Sequence, residues 1–266
     1  VFQIGATYIG TVVGAGFASG QEVLQFFGFF GPAGLGALAV ATAFFGLFGF
    51  AVMDLGSRLG ASSHLQVVRH VGGRLLGPAL DVVITFFLFG ALTAMSAGAG
   101  AIGLEQFGVP TLVGVAAMSA ASVLTVLLGL AGVISAISLI VPALLGGVAV
   151  TSLMALASQP WALEGVRAVA DPARAAVRPW PLSSVVYVSY NMVMSVAVLA
   201  PLGAAAAGPG EGRGRLLAGA LWGAAGLGAG ALAVDTALLL NLPEAARFEV
   251  PMLYVAGRLS PAIKAG

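Results

Sequence analysis

The chain has 266 residues, of which 59% are hydrophobic and 8% charged, with a formal net charge of +1. A soluble domain carries about 25% charged residues, so a soluble globule is excluded, and without a concentrated basic face so is nucleic acid as a partner. There is no cysteine, which excludes disulfides, thiolate metal sites and a cysteine nucleophile.

About 20 consecutive apolar residues cross a ~30 Å hydrocarbon core. Seven such stretches follow one another, at 3–29, 33–53, 78–103, 110–130, 133–157, 183–207 and 215–241. They read as helices, because a helix satisfies its own backbone within one segment. Barrel strands would alternate polar and apolar residues, and these runs do not. The first span is unlike the others: Gly10, Gly14, Gly16 and Gly20 fall within eleven residues. It ends at Gly31-Pro32, and after the second span a polar connection covers 54–77. His64 and His70 lie in that connection without carboxylate or cysteine neighbours in sequence, so it is not read as a metal site. Asp81 begins the third span, where Thr93, Met95 and Ser96 are read as packing residues. The fifth span, 133–157, holds neither lysine nor arginine.

Residues 158–182 mix Trp161 and Trp180 with Arg167, Arg174 and Arg178, the pattern of an interfacial connector. The sixth span carries the run Tyr187-Val-Ser-Tyr-Asn191, then Ser195 and Pro201. Asp235, near the end of the seventh span, is expected at the membrane interface, as is Asp81. Residues 244–259 are too short to span and read as an amphipathic segment. Arg58, Arg69, Arg74, Arg213 and Arg215 fall on one side of the membrane and Arg167, Arg174, Arg178 and Arg247 on the other, so the positive-inside rule does not orient the chain.

The glycine cluster carries the main functional signal. Glycines weaken a helix, and a break inside hydrocarbon is tolerated only where something uses the released N–H and C=O groups. A solute or ion at mid-membrane depth would do so. The competing account is helix packing, since Gly10/Gly14 and Gly16/Gly20 have small-xxx-small spacing. A nucleotide loop is rejected: the spacing is G-x-G-x-x-x-G, with no preceding strand. Ionisable groups inside spans default to function, which singles out Glu22, beside Gln21, as a proton carrier or gate. Spans 1 and 6 are alike in bearing aromatic and then polar or glycine interruptions, as the paired broken helices of inverted-repeat transporters do.

The run Gly5-Ala-Thr-Tyr-Ile-Gly-Thr-Val-Val-Gly-Ala-Gly-Phe-Ala-Ser-Gly-Gln-Glu-Val-Leu-Gln-Phe-Phe27 closely resembles the opening helix of the YkvI-like bacterial membrane proteins, amino acid permeases of the amino acid–polyamine–organocation superfamily. Tyr187-Val-Ser-Tyr-Asn191 and Val250-Pro-Met-Leu-Tyr254 look similar to the same family. The resemblance implies an all-α polytopic membrane protein of the LeuT type, built from two inverted five-helix repeats with helices 1 and 6 broken. Residues 1–157 would form the first repeat, 158–182 the connector, and 183–266 an incomplete second repeat lacking its eighth helix, so the chain is expected to be a fragment.

By the same resemblance, Gly14, Ala15, Gly16 and Phe17 would hold a substrate carboxylate through backbone atoms, with Ser189, Tyr190 and Asn191 opposite. Gly10 and Val13 match the carbonyl donors of a cation site. Tyr187 would gate with Glu22. The lysine-free fifth span favours Na+ over H+ as coupling ion, and no other cofactor is implied. The expectation is a secondary transporter of an amino acid or similar zwitterion in the bacterial inner membrane. Its partners would be a small solute and the lipid bilayer. The alternative is a membrane sensor that keeps the fold without transport. An enzyme is not expected, because no paired carboxylates or Ser/His arrangement share a depth. Substrate identity and oligomeric state do not follow from the residues.

Overall fold

The computed structural model describes residues 1–158, 170–206, 212–248 and 250–259. Every described span is helical, and five helices are long and apolar enough to cross a membrane: Pro32–Leu59, His64–Ala101, Ala131–Ala157, Trp180–Ala206 and Gly212–Leu239. The chain is thus an all-helical membrane protein. Of the seven expected spans, the other two are a broken first helix and a shorter helix of 17 residues.

The first span divides into α1 (Phe2–Val12), α2 (Ala15–Ala18) and α3 (Gln21–Phe26), followed by a 3-10 turn at Gly28–Phe30. Then come α4 (Pro32–Leu59), α5 (His64–Phe107), α6 (Thr111–Leu127) and α7 (Gly129–Ser158). After the connector, α8 (Trp180–Ala206), α9 (Gly212–Leu239) and α10 (Pro251–Leu259) complete the described chain.

Two expectations are corrected here. The polar connection at 54–77 is mostly helix, with α4 running to Leu59 and α5 starting at His64. The physical reason is a capping box: the Leu65 N–H donates to Ser63 Oγ at 3.3 Å and the Ser63 N–H to Gln66 Oε1 at 3.0 Å, satisfying donors that a helix start leaves open. The long α5 then kinks at Gly73 (φ 63°, ψ −160°).

The second correction concerns helix 6. α8 is continuous through Tyr187, Ser189, Tyr190 and Asn191, with only Pro201 inside it. These polar groups turn back onto their own helix: Ser189 Oγ donates to the Val185 carbonyl at 2.7 Å and Asn191 Nδ2 to the Tyr187 carbonyl at 2.9 Å. No glycine lies between 180 and 202. Side-chain back-bonding of this kind is compatible with an unbroken helix.

α1, α4, α8 and α9 form the packed centre, α4 lying along α8 and α1 along α9. Glycines permit the closest crossings. A Cβ on Gly56 would meet the Ala200 backbone, 2.9 Å from its Cα, and one on Gly203 would meet Met53, 2.7 Å from its Cα. Buried Tyr8, Met53, Leu199 and Leu227 fill the space between. At one end, Asp54 binds Arg58 at 2.7 Å and Arg213 at 3.3 Å. That places Arg58 and Arg213 on one side, as the loop count has it. α5 and α6 pair with each other at the edge and leave Phe86, Leu112 and Leu127 open on a face suited to hydrocarbon.

Candidate functional site

The break in the first span has a defined geometry. α1 ends when the Val13 N–H bonds to the Ile9 carbonyl at 2.8 Å and Val13 turns extended (φ −75°, ψ 100°). α2 resumes with the Ala18 N–H on the Gly14 carbonyl at 3.0 Å. Among the described residues, nothing accepts from the N–H groups of Gly14, Gly16 or Phe17, and nothing donates to the carbonyls of Gly10 or Val13. Backbone groups without a hydrogen-bond partner are costly inside an apolar span, which singles out this break as the candidate site.

α2 and α3 are separated by Gly20, whose left-handed φ of 79° is one that a side chain tolerates poorly. The turn is held by the Gly20 N–H on the Phe17 carbonyl at 3.0 Å and by the Met252 N–H of α10 on the Ser19 carbonyl at 2.9 Å. It folds α3 back so that Glu22 reaches the break. A Cβ on Gly16 would collide with the Glu22 side chain, 2.6 Å from its Cγ. The carboxylate therefore covers the Gly16 face on which a substrate carboxylate was expected. The half-helix after the break is also only four residues long, so little macrodipole accumulates there.

Glu22 is fixed from the other side by Tyr190, whose hydroxyl donates to Oε2 at 2.6 Å. Tyr190 belongs to an aromatic cluster centred on Tyr187. Ring centroids lie 4.9 Å from Tyr187 to Phe27, 5.2 Å to Phe26, 5.6 Å to Tyr190 and 5.9 Å to Phe45. Phe17, Phe45 and Tyr187, with Leu227 and Gly228 of α9, line one small apolar cavity. The Tyr187 hydroxyl and Asn191 Oδ1 are buried without a hydrogen-bond partner, as is Thr7 Oγ1 on α1.

The structure thus brings Gly14, Gly16, Phe17, Glu22, Tyr187, Tyr190 and Asn191 into one region. Gly10, one turn before the break, packs against Ile137 and Val141 of α7. Ser189 is not part of the site. On a continuous helix it falls opposite Tyr187 and Asn191 and is exposed. Ala15 contributes its backbone at the start of α2. Met95 is the α5 residue above the break, its methyl 3.0 Å from where a Gly14 Cβ would be.

Of the ring residues of the site, Phe45 has no sequence signal beyond hydrophobicity, and Phe26 and Phe27 stand in the sequence only as the end of the Gly5–Phe27 run. Asp235 is the larger surprise. Expected at the interface, it is fully buried, with neither oxygen hydrogen-bonded. Asp81, by contrast, is partly exposed and pairs with His64 at 3.0 Å, giving that histidine a carboxylate neighbour through the fold. Trp161 and Arg167 lie outside the described residues. Arg174 bonds the Ala246 carbonyl at 3.0 Å and stacks on Phe29 at 4.8 Å.

The chain is similar to two proteins of Bacillus subtilis (strain 168). It is 31% identical over 200 residues to the uncharacterized membrane protein YkvI, a match covering 75% of this chain and 56% of that protein. It is 30% identical over 205 residues to the uncharacterized protein YyaD, covering 76% of this chain and 56% of that one. The chain therefore spans little more than half the length of the relatives it matches. No family model matches, and no solved structure matches.

Proposed function

We propose that the protein is a cation-coupled secondary transporter of an amino acid or similar small zwitterion, working by alternating access in a bacterial inner membrane. The observation that carries this reading is the break at Val13–Gly14. It combines free N–H groups at Gly14, Gly16 and Phe17 with free carbonyls at Gly10 and Val13, the polarity of an anion site next to a cation site. The solute's carboxylate would bind the N–H groups after displacing Glu22. Its ammonium would meet the carboxylate of Glu22 and the ring of Tyr190. Na+ or H+ would be the coupling ion.

The LeuT-type arrangement is part of the same proposal. Its support is a reciprocal packing pattern: the first helix of the chain lies along α9 and the second, α4, along α8. Two inverted repeats beginning at α1 and α8 would pair first and second helices in this crosswise way.

The uninterrupted α8 favours one other reading, a membrane sensor that binds the solute without carrying it. The full-length protein, reconstituted in proteoliposomes with a mixture of radiolabelled amino acids, separates the two. Accumulation driven by an imposed Na+ or H+ gradient is expected. Saturable binding without uptake would replace the transporter by the sensor, and neither binding nor uptake would refute both.

A further inference from the structure

Asp235 lies in the last turns of α9, fully enclosed by this chain's own atoms, and neither carboxyl oxygen has a hydrogen-bond partner. Oδ1 faces Gly28, where an added Cβ would stand 3.1 Å from it. Gly28 begins the 3-10 turn that follows α3, and the side chain next to it is Leu24, 2.9 Å from the same Cβ position. On the same helix, Val234 one residue before Asp235 and Leu238 three residues after it pack against the Gly20 turn. The carboxyl group is therefore clamped between α9 and the second half of the broken helix.

Its surroundings do not suit an anion. The C-terminal end of a helix carries partial negative charge, and Asp235 is four residues from the end of α9. Among the described residues no Lys, Arg or His forms an ion pair with it. The charged and titratable groups of the packed elements are turned elsewhere. Glu22 of α3 goes to Tyr190 of α8, and Tyr8 of α1 to the Phe45 carbonyl of α4. Arg258 of α10 goes to Asn241, and Tyr254 of α10 stacks on Phe248. Tyr187 of α8 sits in the aromatic cluster, and Asp54 and Arg58 of α4 pair with each other and Arg213. α7 has no titratable residue between 129 and 158. Among the described residues, no hydroxyl or amide N–H donates a hydrogen bond to either carboxyl oxygen. The hydroxyl of neighbouring Thr236 is committed to the Leu232 carbonyl at 2.6 Å. An isolated buried charge is neutralised rather than sustained, and a proton alone needs no further ligands.

We propose that Asp235 is a proton-binding site, loaded while α3 and Gly28 lie against α9 and able to release its proton only when that contact opens. The enclosure of Asp235 supports the proton site by itself. Its coupling to solute movement rests on the transporter reading.

The test is infrared difference spectroscopy of the full-length protein near neutral pH, wild type minus Asp235→Asn. A protonated-carboxyl C=O stretch assigned to Asp235, shifted in D2O and unchanged by saturating NaCl, is expected. The same band should survive in Glu22→Gln, and it should move in Asp235→Glu, which supplies the assignment should the asparagine variant misfold. Carboxylate bands in place of the C=O stretch, or loss of that stretch on adding NaCl, would overturn the proposal in favour of an ionised group with a cation partner. A band present in a protein that does not take up solute leaves the proton site standing and removes the transporter. Uptake without the band does the reverse.

Discussion

Replacing Tyr190 by phenylalanine isolates the link between the broken helix and α8. The ring keeps its place, 5.8 Å from Phe26 and 5.6 Å from Tyr187, and only the hydroxyl donated to Glu22 at 2.6 Å is lost. So short an O–H···O contact is typical of a charge-assisted bond. Bonds to charged groups contribute ~1.5–3 kcal/mol in soluble proteins, whereas interhelical bonds in membranes average ~0.6 and reach ~1.7 kcal/mol. Glu22 is held in a protein interior but within a membrane domain, so a loss of about 1–2 kcal/mol is expected for Tyr190→Phe. That corresponds to roughly a tenfold change in the unfolding equilibrium.

The assay is a double-mutant cycle with Glu22→Gln, read by reversible unfolding of the full-length protein in mixed micelles. Hydrogen exchange of the amides from Gly14 to Ser19 should rise in both single variants, because Glu22 would no longer be held over Gly16. A coupling energy within about 0.3 kcal/mol of zero is what independent sites give. That result, with exchange unchanged, would refute the claim that Glu22 and Tyr190 jointly close the break.

Other perturbations separate packing from binding. Gly203→Val drives a side chain into the Met53 backbone and should cost about 1–3 kcal/mol by overpacking. Gly146→Ala, in α7 with nothing near its Cβ position, should be neutral or stabilising by up to ~1 kcal/mol; equal melting temperatures for the two would contradict the close α4–α8 crossing. Asn191→Ala should weaken binding of radiolabelled amino acids in equilibrium dialysis while Ser189→Ala leaves it unchanged, and the opposite order would reverse the face assigned to α8. Gly49→Ala should displace the Tyr8 ring packed on it and lower the melting temperature more than Tyr8→Phe, which loses the 2.6 Å bond to the Phe45 carbonyl and the 3.4 Å contact with Met192 Sδ.

The membrane helices were legible because each is one long apolar run, and the break at Val13–Gly14 because glycines mark where a helix yields. The start of α5 is equally readable, from Ser63 with Gln66 three residues on, but the polar and basic composition of 54–77 masks it. Helix 6 shows why aromatic and polar residues alone do not predict a break: Ser189 and Asn191 can satisfy themselves on the preceding turn, which leaves the backbone intact. The meeting of Glu22 with Gly16 depends on the direction set by one left-handed residue, Gly20, and on α10 bonding to Ser19. Neither is encoded in local pattern. The burial of Asp235 is likewise tertiary. Its position near a helix end suggests an interface, but α3 and Gly28 fold over it.

Gradient-driven uptake by Gly16→Leu tests the central claim most directly. A leucine at 16 would fill the face that Glu22 now covers and obstruct the free N–H groups of the break. In proteoliposomes of the full-length protein, wild type should accumulate a radiolabelled amino acid under an ion gradient. Gly16→Leu should neither bind nor accumulate it, while eluting and melting as a folded protein. Accumulation by Gly16→Leu at the wild-type rate and affinity would contradict the assignment of the solute site to the broken helix.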